Sequence, residues 1–219
     1  DSLAVAERWL KENEDYFNYV ALIRNRDNSR LPRSRNNGIL FSKTEFILPL
    51  DADNVLLPTC VARCVELLDQ TAVAFPTIQR CGDETGVVSE REWDPARLRF
   101  GNYIDAMAMF RKACWLAVGG YGALDLGWED YDLWCKFIER GFWGARVPEV
   151  TARYRVHGTS MRDTLTDLDH NKLKISDELT RRHPWLDPVQ WMERAHHPAR
   201  LFSEAAPGRT IGTLGAALR

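Results

Sequence analysis

Acidic pairs are the first residues in this chain that suggest chemistry. Asp-x-Asp occurs three times, at Asp51/Asp53, Asp130/Asp132 and Asp167/Asp169, so the triplet alone says little and its location must decide. Only Asp51-Ala52-Asp53 follows an apolar run of buried-strand type, Phe46 to Leu50. That places two carboxylates at the carboxyl end of a strand, where open α/β sheets build their ligand crevice. Neighbouring carboxylates repel unless a cation lies between them and an anionic ligand. Carboxylates together with substrate phosphates are the usual shell of Mg2+ or Mn2+. A solvated Asp/Asn turn would read the same way, so the segment by itself leaves both meanings open.

Three further groups could complete such a site. Glu129 and Asp130 follow Gly127-Trp128 at the start of a strongly helical stretch. Acidic residues are common there for dipole reasons alone. A carboxylate beside a Trp in a half-dry cleft can also have a raised pKa and act as a general base. Gly119-Gly120 would let the backbone approach a ligand closely, although a glycine turn needs no function. His157 ends the apolar run Val150 to Val156, where it could meet a metal or a phosphate, or serve packing alone. Arg33 and Arg35 stand at a helix start, either as solvated charges or as guanidinium forks for a diphosphate.

These side chains need elements to hold them. Residues 2–14 read as a helix, with Leu3, Ala6 and Leu10 at helical spacing. Tyr19 to Ile23 reads as a strand, Pro32 opens a helix through Ile39 and Leu40, and 46–50 is a strand that Pro49 forces out of its ladder. Pro58 opens a helix with Val61, Cys64, Val65 and Leu68 on one face, and 71–75 is a strand closed by Pro76. This alternation argues for an α/β layer of parallel strands. From 79 to 102 the pattern gives way to a long charged loop, the kind that usually carries function. A strand at 104–110, a short helix at 112–117, the strong helix 129–140 stopped by Gly141, and a strand at 150–156 complete the reading. Beyond 160 the chain is helical and polar, with Arg181 to Trp185 marking an end, and 205–219 carries no chemical signal.

Composition narrows the classes. The 219 residues include eight Trp, nine Phe and six Tyr, too many for a disordered chain. Charge is 29 basic against 31 acidic, so the excess that nucleic-acid phosphates demand is missing. No apolar run approaches the roughly 20 residues of a membrane span. No secretory leader opens the sequence as it stands. Five scattered cysteines suit reduced, buried thiols, and hence a cytoplasmic location, the inner face of a membrane included.

In order and spacing, four segments resemble family-2 glycosyltransferases of the GT-A fold. Arg33-Ser-Arg-Asn-Asn-Gly-Ile39 resembles the family's Ala-Arg-Asn-x-Gly helix, and Ile47 to Asn54 its strand and Asp-x-Asp turn. Gly119-Gly-Tyr-Gly through Trp-Glu-Asp-Tyr-Asp-Leu-Trp134 resembles its Gly-Gly-Phe-Asp…Glu-Asp-x-Asp-Leu signature. Tyr154 to Ser160 resembles its closing Tyr-Arg-x-His…Ser segment. The resemblance covers about residues 1–160 and implies a mixed, Rossmann-type α/β sheet flanked by helices; residues 161–219 are expected to be a C-terminal helical extension and tail. It implies inverting transfer of a sugar from a nucleotide-diphosphate donor to a hydroxyl of a glycan, lipid-linked or polysaccharide acceptor. Asp130 would be the base, and Glu129 would position acceptor or sugar. Asp53 and His157 would hold Mg2+ or Mn2+. Arg35, Arg33 and Asp51 would hold the donor, and Gly119, Gly120 and Trp128 would line the substrate site. Acceptor choice would lie mainly in 79–102.

The sequence departs from the family at its front. Asp1-Ser2-Leu3 looks like the end of the family's first acidic loop, so a strand, helix and strand of on the order of 30–40 residues are expected to be missing. The expectation is a domain truncated at its N-terminus, part of a longer polypeptide, and inactive or weak in donor binding by itself. The alternatives are a non-catalytic GT-A-like module that binds a sugar or a partner chain, and a nucleotidyltransferase. A dinucleotide oxidoreductase is disfavoured, because no Gly-x-Gly-x-x-Gly follows a strand.

Overall fold

The computed structural model describes residues 2–187. In chain order its elements are α1 (Ser2–Asn13), α2 (Arg30–Phe41), β1 (Phe46–Ile47), β2 (Val55–Leu56), α3 (Cys60–Leu68), β3 (Val73–Gly82) and β4 (Gly86–Val88). They continue as α4 (Pro95–Leu98), β5 (Met109–Arg111), α5 (Lys112–Ala117), α6 (Glu129–Glu139), β6 (Gly144–Val156) and α7 (Asp169–Arg182). The strands form one sheet in the order β1-β5-β3-β6-β2, with β4 hairpinned onto the far half of β3.

The sheet is mixed, as the resemblance implied, and less parallel than the strand–helix alternation suggested. β3 and β6 run parallel, whereas β1–β5, β3–β5, β3–β4 and β2–β6 are antiparallel. Proline misled the strand limits. β3 continues through Pro76 to Gly82, and β6 begins at Gly144 and passes Pro148. Their pairing slips at that point, from Pro76↔Val147 to Thr77↔Val150, so both prolines sit at an irregularity where no ladder N–H is required. Thr77 Oγ1 donates to the Val147 carbonyl at 2.8 Å and closes the gap.

Other expectations are corrected. Tyr19–Ile23 forms no strand, and Tyr19, Leu22 and Ile23 are exposed. Its side chains favour a strand, but β-propensity is realised only against a neighbour, and none is paired with it here. Of 46–50 only Phe46 and Ile47 pair, and of 104–110 only the end does, as β5. The 79–102 loop begins as the β3–β4 hairpin and contains α4, capped by Asp94, whose side chain accepts from the Ala96 N–H.

Helices cover both faces of the sheet. On one face Cys60, Cys64 and Leu68 of α3 pack on Ala74, Met109 and Val147, which confirms the two thiols as core residues. On the other, Phe110 receives the edges of Tyr121, Trp134 and Phe137 at 6.1–6.5 Å between ring centroids. Ile175, Leu179 and Leu186 belong to this same core, so packing does not divide the chain at residue 160. The expected tail lies outside the described residues from 188 onward.

Candidate active site

Three junctions carry the functional side chains. The first is α2, stitched to the glycine turn by a reciprocal pair. Asn36 Nδ2 donates to the Tyr121 carbonyl and Asn36 Oδ1 accepts the Tyr121 N–H, both at 2.9 Å. Gly119 and Gly120 have φ of +77° and +74°, the left-handed region that glycine enters without cost. A Cβ on Gly120 would lie 2.8 Å from the Trp115 ring and 3.0 Å from Asn36 Oδ1, so packing accounts for that glycine without a ligand.

Seating α2 this way puts Arg35 between two carboxylates. Its guanidinium pairs with Glu129 and with Asp51 Oδ1, the latter at 2.7 Å, and lies over the Tyr121 ring at 5.7 Å. Burial works against its charge, but Glu129 and Asp51 outweigh burial and hold it cationic. Arg33, on the same helix, is exposed and stands outside this network.

The second junction is the start of α6. Trp128 precedes it with φ +63°, a strained conformation for a bulky residue, and its ring meets Tyr131 edge-on at 5.6 Å. That turn buries Glu129 and leaves Asp130 partly exposed beside it. Asp130 Oδ2 accepts from Asn102 Nδ2 at 3.0 Å, and Oδ1 accepts the Tyr131 N–H at 2.8 Å. Burial raises the Asp130 carboxyl above its ordinary range, while Arg35 and the two hydrogen bonds oppose the shift. Glu129 is also raised, first by burial and then by Asp130, with Arg35 opposing.

The third junction joins the Asp-x-Asp turn to the end of β6. Pairing of β2 with β6 lays the turn beside Arg155, whose N–H donates to Asn54 Oδ1 at 3.0 Å. This brings Asp53 Oδ2 within 3.0 Å of His157 Nε2, and Thr159 Oγ1 fixes the other ring nitrogen at 2.9 Å. Asp53 and His157 are 42% and 35% exposed, open enough to take a ligand. Oxygen from Asp53 and nitrogen from His157 suit Mg2+ or Mn2+ when phosphate oxygens and water fill the remaining positions. The donor set therefore fits the ion. Among the described residues no cluster of three or more such ligands exists, and Asp51 is turned to Arg35 instead.

Of the expected residues, Arg35, Asp51, Glu129 and Asp130 thus form one cluster, and Asp53 with His157 a second. Sequence reasoning missed Asn102, Tyr121 and Asp105. Burial pushes the Asp105 carboxyl up to about 7, against a hydrogen bond from the Met107 N–H, with the charges of Asp130 and Asp51 adding to the rise. The signal was available, because Asp105 opens the apolar run Ala106–Phe110 much as an acid follows Phe46–Leu50.

Comparison with known proteins decides the family. A family model described as Glycosyl transferase family 2 matches residues 1–124, more than half of the chain. The chain belongs to glycosyl transferase family 2. Within the family it is 26% identical over 149 residues to a Bacillus subtilis (strain 168) protein bearing the glycosyltransferase name EpsE, covering 64% of this chain and 54% of that one. An uncharacterized glycosyltransferase of Haemophilus influenzae is 26% identical over 137 residues, covering 58% and 47%. Among solved structures, S. aureus TarS 1–349 in complex with UDP-GlcNAc superposes with a TM-score of 0.64 at 9% identity, over 81% of this chain and 53% of that one. The Pyrobaculum calidifontis mannosyltransferase PcManGT, in complex with GDP-Man and Mn2+, gives 0.58 at 14% identity, over 88% and 55%. The fold is thus that of GT-A glycosyltransferases, and this chain spans about half the length of the relatives it matches. No described helix is long and apolar enough to cross a membrane.

Proposed function

We propose that this family-2 chain carries the reacting groups of an inverting, metal-dependent transferase, with Asp130 as general base. The donor is a nucleotide-diphosphate sugar and the acceptor a hydroxyl of a glycan, lipid-linked or polysaccharide chain, in a cytoplasmic setting. The observation that carries the reading is the placement of Asp130. It stands partly exposed in the first turn of α6, held by Asn102, beside the Arg35-bridged pair of Glu129 and Asp51.

The chemistry follows from that placement. The acceptor oxygen attacks the anomeric carbon from the face opposite the diphosphate, and its proton passes to Asp130. A new carbon–oxygen bond forms, and the bond to the leaving phosphate oxygen breaks with its electron pair. A single base and one displacement invert the centre. The raised Asp130 carboxyl is a better proton acceptor than an ordinary aspartate, as a base for a weakly acidic hydroxyl must be. Asp53 and His157 would hold the Mg2+ or Mn2+, whose positive charge stabilises the departing diphosphate. Glu129, neutralised by Arg35, orients acceptor or sugar, and the half-buried Trp128 beside it would offer an apolar face to a sugar ring.

Incubation of the full-length enzyme with UDP- and GDP-sugars and a panel of saccharide acceptors tests this directly. Asp130→Asn is expected to lower transfer at least about 100-fold while donor affinity stays within a few-fold of the unaltered protein. Transfer that survives the substitution would remove Asp130 as the base.

A further inference from the structure

Two residues beyond Asp130, Asp132 is fully buried and cannot touch substrate. Its Oδ2 accepts from Lys136 Nζ at 2.7 Å and from the Gly122 N–H at 3.2 Å. Its Oδ1 faces Arg182 Nη1 and His183 Nε2, each at 3.2 Å. His183, 2% exposed, reaches Glu139 Oε1 with Nδ1 at 2.7 Å, and Trp185 Nε1 donates to the same oxygen at 2.9 Å. Arg182 also pairs with Glu178 at 2.7 Å. Lys136, Arg182 and His183 thus meet three carboxylates between α6 and the end of α7. A Cβ on Gly122 would fall 2.1 Å from Arg182 Nη1 and 2.6 Å from Asp132 Oδ2, so the cluster occupies the space that this glycine leaves.

A buried ionic cluster is a poor way to gain stability, since apolar side chains of similar volume often do as well or better. Its position offers another use. Asp132 shares the first turn of α6 with Glu129 and Asp130, and it grips Gly122, next to Tyr121, which in turn fixes Asn36 beside Arg35. We propose that Asp132 and His183 are positioning residues that lock the base-bearing turn of α6 to α7, so that residues 169–185 are part of the catalytic unit. The catalytic half of this inference rests on Asp130 being the base.

Protonation sets the range over which the lock holds. Burial disfavours charge on His183, but its bonds to Asp132 and Glu139 outweigh burial and raise it above an ordinary histidine. The groups facing it are Asp132 and Glu139 of α6, with Lys136 and Arg182 sharing Asp132. Burial would raise Asp132 as well, yet His183, Lys136 and Arg182 hold it far below the usual carboxylate range. The His183 contribution is complete below the ordinary imidazole value and is lost as pH rises through the raised one. The Asp132 contribution is present above the ordinary carboxylate value and is lost as pH falls towards its depressed one.

The first test uses the unaltered protein. Histidine NMR is expected to show the His183 ring titrating above an ordinary histidine, because carboxylates face both of its nitrogens, and a ring that titrates at or below the ordinary value overturns the lock. The second uses His183→Gln, with UDP-GlcNAc and GDP-mannose as donors and hydrogen exchange read at residues 130–133. Expected are faster exchange there and kcat lowered about tenfold, with KM for the donor changed less than about threefold. Unchanged exchange overturns the lock, and faster exchange with unchanged kcat overturns its role in positioning. Should Asp130→Asn prove harmless, the exchange result still decides whether α7 holds the turn, so the two readings fail separately.

Discussion

Helices α1 and α6 are close in length, twelve and eleven residues, and both repeat apolar side chains at helical spacing. None of the α1 residues is buried, and Trp9, one of its apolar side chains, is about half exposed. Seven of α6 are buried, and two of those are the acids Glu129 and Asp132. Periodicity states which face a helix would bury; it does not state whether anything stands against that face. What separates the two is partners. α6 packs on Phe110 of the sheet, and its acids meet Arg35, Lys136, Arg182 and His183. α1 meets a few neighbours such as Phe17, whose ring lies 5.8 Å from that of Trp9. The chemistry hangs on the helix with the partners.

The sharpest way to break the contrast is to remove a partner on the α6 side. Arg35→Ala leaves Glu129 buried beside Asp130 without its cation, and should cost about 3–5 kcal/mol in denaturant unfolding. The double change Arg35→Ala with Glu129→Gln should recover part of that loss, because the stranded charge is gone. Phe110→Ala empties the place where three rings meet and should cost a comparable 3–5 kcal/mol. A loss below about 1 kcal/mol for either single change would mean that α6 is no better anchored than α1.

A smaller effect separates the two halves of the cleft. Asp53→Ala should weaken Mn2+-dependent binding of GDP-mannose or UDP-GlcNAc about tenfold in titration, roughly 1.4 kcal/mol. The fold should be little changed, because Asp53 is substantially exposed. An Mn2+ dependence identical to that of the unaltered protein would take Asp53 out of the metal shell.

The limits of sequence reading follow the same division. Arg35, Asp51, Asp53, Glu129, Asp130 and His157 were legible because each lies at the end of an element marked by apolar runs or helix starts. Asn102, Tyr121 and the Asp132–His183 lock were not, because their meaning depends on residues 28 to 85 positions away, which no local pattern encodes. Pro76 read as a strand end because a proline cannot donate to a ladder, yet an irregularity in the pairing lets β3 run past it, as it lets β6 run past Pro148. Tyr19–Ile23 failed in the opposite sense, having strand-forming side chains but no neighbour to pair with.

The smallest effect is the most discriminating for α1. Trp9 is the largest apolar side chain on that helix, and at 49% exposed it retains about half the surface it would show alone. Burial free energy scales with area removed from water, and the ring meets Phe17 at a tilt of 53° rather than sitting in a closed core. Trp9→Ala should therefore shift unfolding by no more than about 1 kcal/mol, against the several expected for Phe110→Ala. Hydrogen exchange across 2–13 should likewise be fast beside that of 131–137, since local opening is governed by buried apolar contact. A Trp9→Ala loss above about 2 kcal/mol would show that something covers this face in solution. The contrast between the two helices would then disappear, because both would have partners.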